Sequence, residues 1–453
     1  VDIPKYDDST YISSYIVKEG VLRHCISLDT THSSYSCVPL GPNTPNLIEN
    51  VYYLSYDGHY FYQYNVANFK RMIDDYKKGV RTNAYNKTPY YNYYQFITHR
   101  SKTNQTASDL NNHVKTMTSN ASSKMYNLGS AFINNQNLYG SNGAIMYGTA
   151  GNESAWGTSN YALSRNNLFG HNAYDSDPNQ AGNYDSPATN VKVHAKVFIS
   201  EGFMDPCDWK DTKGNGYSSS LCLTGRYNGG QLGNKASGIN VRYASDPYWG
   251  EKAASNYYNL ESKVGYSDYG YYTLGIKTKY GIYNVRKEPN TNSTILYQTI
   301  PSNDYPFVIL GKVTGNDNKT WYKIQTDPTL DSSRSKLIQD QGQYNYNNNY
   351  GYVSSDAVDV YIAGTKKIED NTNTTYSITF DADGGVFSDK SHQKTINVKK
   401  DTYPSIETPV KTGYKFKEWS PIVTHAVKNT TYKAVWEANE YDITFDADGG
   451  VFS

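Results

Sequence analysis

Long apolar stretches are the first thing this chain lacks. Over 453 residues only 37% are hydrophobic, and mean hydropathy is -0.73. No run is long enough to cross a bilayer as a helix, which excludes a membrane span of that kind. Charge of one sign is also missing: 43 basic residues face 43 acidic ones. No basic field therefore argues for nucleic acid, and no acidic tail appears. A starting methionine and a signal peptide are absent, since the chain opens Val1-Asp2-Ile3-Pro4. It also stops inside a repeated motif, so it reads as a mature or trimmed chain whose targeting segments are unseen.

Cysteine is scarce, and its four residues form two local pairs, Cys25/Cys37 and Cys207/Cys222. Each pair would close a loop worth roughly 3 kcal/mol if oxidised and unstrained, and local pairing fits an exported protein. The metal alternative through His24, Cys25, His32 and Cys37 matches no zinc spacing. Asp381 and Asp383 bring too few ligands for calcium. Gly384-Gly385 is a turn and not a phosphate loop, because no lysine follows it. No metal and no cofactor are expected. Phe (13) and Trp (6) are few beside 47 Tyr. Tyrosine joins an apolar face to a hydroxyl, which suits half-wet surfaces and sugar-binding clefts; compositional bias toward β-strands is the plainer reading.

Alternation in Val51 to Tyr56, the turn Asp57-Gly58 and His59 to Tyr62 predict a β-hairpin. Phe69, Met72, Ile73 and Tyr76 follow with helical spacing. Residues 108–260 read as mostly helical, with an apolar stripe at Met125, Leu128, Phe132 and Ile133. A helix is predicted from about Asn142 to Ala155, with Gly157 as its stop. Ser159 caps a short helix, Ser186-Pro187 opens another with His194 on its inner face, and a last helix follows Pro247-Tyr248-Trp249. After Tyr266 short β-like runs take over. Tyr376 to Ser388 returns almost unchanged as Tyr441 to Ser453, differing only at Ser377/Asp442, which marks tandem modules.

The chemistry centres on Gly151-Asn152-Glu153-Ser154-Ala155-Trp156-Gly157. An acid beside a tryptophan at the end of a buried helix has its charged form disfavoured and its pKa raised. A carboxyl still protonated near neutral pH is what glycoside cleavage needs to protonate a leaving oxygen. A helix-end acid in a salt bridge is the plainer alternative.

Three blocks carry a resemblance: Asn152 to Ser159; Asn166-Asn167-Leu168-Phe169-Gly170 with Ala173 to Pro178; and Gly233 to Gly250, which contains Tyr243-Ala244-Ser245-Asp246-Pro247. Together they resemble the bacterial glucosaminidases of glycoside hydrolase family 73, over roughly residues 51–262. The resemblance implies a mainly α, lysozyme-like catalytic domain with a small N-terminal β element. It implies cleavage of the β-1,4 bond after N-acetylglucosamine in peptidoglycan, by an autolysin or cell-separation enzyme. It places the general acid on Glu153 and a cleft tyrosine on Tyr243. A second carboxylate stays open among Asp175, Asp177, Asp185 and Asp205, with Asp177 or Asp185 favoured; the substrate's own acetamido group is a third route. Trp156, Asn167, Phe169, Tyr174, Asp246 and Trp249 are the substrate-binding candidates, although core packing explains Trp156 and Phe169 equally well. A muramidase or lytic transglycosylase using the same acid, or a surface adhesin with a degenerate enzyme module, are the competing readings.

Tyr280 to Arg286, Trp321 to Ile324 and Gly351-Tyr352-Val353 resemble a bacterial SH3 domain, a small β-barrel. Phe380, Gly384-Gly385, Trp419 and Tyr432 to Trp436 resemble the Listeria–Bacteroides surface repeat. The expected order is an N-terminal extension over 1–50, a catalytic domain over 51–265, the SH3-like barrel over 271–362 and a linker over 363–375. A repeat over 376–438 and the start of a second over 439–453 complete it. The expected partners are peptidoglycan strands, with other wall polymers bound through the tail modules, on a secreted protein at a Gram-positive wall.

Overall fold

The computed structural model describes residues 11–29, 31, 35–171, 182–207, 225–277, 279–338, 343–370, 375–400, 402–446 and 448–451. Its contacts divide into two compact units. One comprises Val1–Lys287, Thr294–Leu310 and Lys323–Ile368; the other comprises Glu288–Ser293, Gly311–Tyr322 and Glu369–Ser453.

The first described residues of this unit lead into strands. β1 (Ser14–Lys18) and β2 (Val21–Ser27) are joined by Glu19 and Gly20, at φ 54° and 72°. Two left-handed residues make the tight turn whose twist suits a hairpin. β3 (Tyr35–Pro42), β4 (Tyr52–Leu54) and β5 (Tyr62–Gln63) complete a sheet of order β3-β2-β1-β4-β5. Cys25 and Cys37 lie opposite each other in the β2–β3 register and are bonded to each other. The predicted hairpin over 51–62 is the β4–β5 pair.

Helices follow: α1 (Val66–Lys78), α2 (Tyr93–Phe96), α3 (Ala107–Met117), α4 (Gly129–Tyr139), α5 (Gly143–Ser154), α6 (Asn160–Arg165), α7 (Pro187–Val193) and α8 (Trp249–Val264). A π-helical segment, His194–Phe203, prolongs α7. Asn142, Ser159 and Ser186 each cap a helix start with a side-chain oxygen. Met125 and Leu128 precede α4 instead of sitting on it.

α5 is the centre of the unit. Residues from Gly143 to Gly151 are all buried, so the helix is apolar on every side, as a fully enclosed helix must be. α8 crosses it closely: a Cβ on Gly148 would lie 2.8 Å from the Ala253 carbonyl oxygen, and Asn256 donates to the Gly148 carbonyl at 3.0 Å. Tyrosine fills this interior. Tyr53, Tyr62, Tyr94, Tyr147 and Tyr257 are among the largest fully buried side chains. Each hydroxyl named next finds a buried acceptor or partner, as enclosure demands: Tyr94 donates to Glu261 and Tyr257 to Asp268.

The fold expectation needs two corrections. The first unit is mixed α/β and not mainly α, because β1–β3 convert the expected extension into a five-stranded sheet. Among the described residues no sheet closes into the expected SH3 barrel. β6 (Thr273–Lys277), β7 (Asn284–Arg286), β8 (Ile295–Gln298), β9 (Pro306–Thr314), β10 (Thr320–Gln325), β11 (Tyr350–Ser354) and β12 (Val358–Ile362) form an open sheet, order β12-β6-β9-β10-β11-β7-β8, with β13 (Glu369–Asp370) beside β9. A closed barrel surrounds its own core. Here Leu274 of β6 and Val308 of β9 belong to the helical core, so one face of the sheet is covered by helices.

In the second unit β14 (Thr375–Asp381), β15 (Gln393–Lys399), β16 (Tyr414–Ser420) and β17 (Thr430–Ala438) form a sheet of order β15-β14-β17-β16, with β14 and β17 parallel. Phe380, Phe387 and Tyr432 pack inside it, with Trp419 against them. The near-identical segment from Tyr441 forms no strand among the described residues.

The α5–α8 crossing leaves no room at residue 148, and the atom in the way is backbone. Gly148→Ala should destabilise the first unit by roughly 1–3 kcal/mol, read as a lower thermal midpoint; an unchanged midpoint would show that the helices can part without cost.

Candidate active site

Glu153 is the next-to-last residue of α5. The helix ends abruptly there. Ser154 Oγ donates to the Ala150 carbonyl at 2.6 Å and accepts the Gly157 N–H at 2.8 Å. It thereby stabilises three successive left-handed residues, Ala155, Trp156 and Gly157, at φ 48°, 59° and 80°. This reversal folds Trp156 back over its own helix. A Cβ on Gly151 would touch the Trp156 ring at 2.8 Å, and the indole lies 5.6 Å from the rings of His113 and Tyr147. Positions 151 and 153 are about 200° apart around a helix of 3.6 residues per turn. Trp156 therefore covers the face of α5 opposite Glu153.

The tryptophan at Glu153 is Trp249, the first residue of α8. Its indole N–H donates to Glu153 Oε1 in a short hydrogen bond. Trp249 is itself buried and stacks on Tyr243, with centroids 4.3 Å apart and planes 24° apart. Tyr243 donates its hydroxyl to the Phe169 carbonyl at 3.0 Å. The Phe169-Gly170 turn thus passes beside the acid, and a Cβ on Gly170 would stand 3.2 Å from Glu153 Oε2.

Burial pushes the Glu153 carboxyl above the usual glutamate range. Hydrogen bonds from Trp249 and Asn152 pull it back, and the charge of Asp246 pushes it up again. The carbonyl end of α5 acts in the same direction as burial, since it disfavours an anion. Tyr243 is half-buried, and burial of its hydroxyl and the Glu153 charge raise its pKa well above the ordinary value. The site therefore pairs a carboxyl whose neutral form burial favours with a hydroxyl that remains neutral.

The other predicted residues fall in different places. Asp246 accepts the Tyr248 N–H at 2.9 Å and pairs with Lys252 at 2.7 Å. Asn167 is buried and organises its own loop, donating to the His171 and Gly182 carbonyls. Phe169 is a core ring stacked on His194 at 3.6 Å. His194, buried as anticipated, meets His171 through a 3.0 Å contact; burial lowers the pKa of His171 to about 3 and that of His194 far below its ordinary value. Asp185 is exposed just before α7. Asp205 is buried and accepts the Cys207 N–H at 2.8 Å. Cys207 is disulfide-bonded. Tyr174, Asp175, Asp177 and Cys222 lie outside the described residues. The His171–His194 pair and its anchor Asn190, whose amide is 3.2 Å from His171 Nδ1, carried no signal in spacing or composition.

The glucosaminidase family, described as mannosyl-glycoprotein endo-beta-N-acetylglucosaminidase, matches residues 129–262. The Listeria-Bacteroides repeat domain matches residues 376–435. Two Streptococcus pneumoniae proteins, one from a serotype 4 strain, are named putative endo-beta-N-acetylglucosaminidase. Each is 29% identical over 229 residues, covering 48% of this chain and 31% or 29% of their own length. The chain thus spans under a third of the length of these curated relatives. Among solved structures, S. aureus Autolysin E overlaps at TM-score 0.25 and 19% identity, over 37% of this chain and 71% of that one. Its catalytic mutant in complex with the disaccharide NAG-NAM gives 0.26 and 18%, over 37% and 72%; overlaps this small carry no weight here. The chain carries a glucosaminidase-family domain that starts at α4 and takes in nearly all of α8, followed by a Listeria–Bacteroides repeat domain.

Proposed function

We propose that this chain hydrolyses peptidoglycan at the β-1,4 bond after N-acetylglucosamine, as an autolysin or cell-separation enzyme secreted to a Gram-positive wall. The observation that carries this reading is the half-buried Glu153 held by the indole of Trp249 inside the glucosaminidase-family domain. The names of the pneumococcal relatives support the choice of sugar. The Cys25–Cys37 bond supports an oxidising compartment.

Glu153 is the general acid. Its proton passes to the glycosidic oxygen as the bond from that oxygen to the anomeric carbon breaks, and the leaving sugar departs with a new hydroxyl. Water then supplies hydroxide to the anomeric carbon and returns a proton to Glu153. Tyr243, neutral and half-exposed, lines the same wall and orients the substrate's acetamido group or the water. Asp246 completes the substrate-facing set, and the buried indole of Trp249 backs the acid.

Glu153→Gln should lower wall lysis about 10²- to 10⁴-fold, the range of a lost acid–base group. The fold should not suffer. Because the folded state raises this carboxyl's pKa, ionisation weakens folding as pH rises from the ordinary glutamate value through the elevated one. Glutamine cannot ionise, so its thermal midpoint should equal or exceed the wild-type value above that range; undiminished lysis would remove Glu153 from the mechanism. Products settle the bond: mass spectrometry should find N-acetylglucosamine at the new reducing ends. Anhydro-muramic ends would indicate a lytic transglycosylase.

Trp249→Phe deletes the indole donor, which stabilises ionised Glu153, while keeping an aromatic ring. The pH at which kcat/KM falls on the alkaline side should move upward; a limb that stays in place or moves down would show that this bond does not tune the acid.

A further inference from the structure

A cavity of about 450 Å³ lies in the first unit between the N-terminal sheet and the segment leading into α8. Glu153, Tyr243 and Phe169 are not among its lining residues; Tyr248, the residue before Trp249, is. Its size falls within the range of small-molecule sites, about 300–1,000 Å³.

Its walls combine rings with paired charges. Tyr15, stacked on His24 at 4.2 Å, forms one face, and Tyr90 and Phe96 form others. Each lining carboxylate already has a basic partner. Glu251 meets His24 at 2.9 Å, Asp304 meets His59 at 3.6 Å, and Asp57 meets Arg81 at 3.3 Å. The lining lysine, Lys235, donates to the carbonyls of Asn240 and Ala244. A phosphate would need a spare cation here, and an amine would need a spare carboxylate. The pairing leaves neither, so the cavity suits a neutral polar molecule.

Three lining residues keep a buried polar atom that makes no hydrogen bond to the protein: Tyr56 Oη, His59 Nε2, which stands 3.6 Å from Asp304, and Asn92 Nδ2. Asn92 is 3% exposed. Its Oδ1 accepts the Tyr94 N–H at 3.1 Å, which fixes the orientation of the amide, and its Nδ2 donates to no protein atom. A buried amide donor in that state calls for an acceptor, which a bound water or a ligand oxygen in the cavity can supply. A neutral molecule offering a carbonyl, hydroxyls and apolar C–H faces to aromatic rings is an N-acetylated sugar.

We propose that this cavity is a second saccharide site, which holds one or two N-acetylated sugar residues away from the bond cleaved at Glu153. The choice of sugar rests on the wall-glycan reading above. Because Tyr248 borders the cavity and Trp249 holds Glu153, the first turn of α8 separates the two sites. A glycan held there would tether the enzyme to its polymer.

The probe is the β-1,4-linked trimer of N-acetylglucosamine, titrated calorimetrically into the full chain carrying Glu153→Gln, which removes turnover from the measurement. Two binding events are expected. Adding Ala236→Trp, which places a large ring at an exposed lining position, should weaken one event by about tenfold, or 1.4 kcal/mol, and leave the other. Adding Asn92→Ser, which retains an oxygen to cap α2, should weaken the same event. A single event unaffected by either change, or binding of lysine or inorganic phosphate in place of the trimer, would overturn the proposal. Lysis assays separate it from the catalytic reading: if Glu153→Gln still lyses walls, that reading falls while the two-event titration still reports on the cavity.

Discussion

The site depends on one close contact, the crossing of α5 and α8 at Gly148. With no side chain at that position, the backbone of α8 rests on α5, and Asn256 bonds to the Gly148 carbonyl. This contact brings the first turn of α8 to the last turn of α5, so Trp249 meets Glu153. The other end of α8 is fastened as firmly. Glu261 accepts from Tyr94, Gln105 and the N–H groups of Ser267, Asp268 and Tyr269. A helix held at both ends and in the middle can present its first residue with little freedom, which is what a preorganised catalytic group requires.

The environment of Glu153 balances opposing effects. Burial and the helix C-terminus favour the neutral acid, while the indole N–H favours the anion. The net effect is a raised pKa, which helps an acid catalyst keep its proton until bond cleavage, while the indole keeps the deprotonated state accessible for the return half of the cycle. The neighbouring histidines contribute no charge. His171 and His194, stacked with Phe169, form a neutral buried layer behind the Phe169-Gly170 turn.

Much of the helical part was legible in the sequence, because caps and stops are local. Asn142, Ser159 and Ser186-Pro187 each declare a helix start through their own chemistry, and α5 ends where Gly157 suggested. The identity of the tryptophan was not legible. Trp156 stands three residues from Glu153, yet the left-handed turn after α5 sends it to the opposite face; Trp249 arrives through a tertiary crossing that no local pattern encodes. The tyrosines misled in the same way, since many that suggested a sugar cleft are core residues whose hydroxyls are satisfied internally. The two copies of the repeat motif show the limit most directly. Tyr376 to Asp381 lies within β14, paired with β15 and β17, whereas Tyr441, Ile443 and Phe445 are exposed and belong to no strand among the described residues. Nearly the same residues give a strand only where partner strands exist. The missing barrel has the same origin, because a neighbouring helical core covers one face of the open sheet.

The central claim is that burial raises the pKa of Glu153 despite the indole hydrogen bond from Trp249. Isotope-labelled glutamate carboxyls followed by carbon NMR through a pH titration of the intact protein, with the Glu153 signal assigned by its loss in a substituted chain, test this directly. A Glu153 midpoint clearly above the ordinary glutamate value of about 4.3 is the predicted result. A midpoint at or below that value would contradict the account.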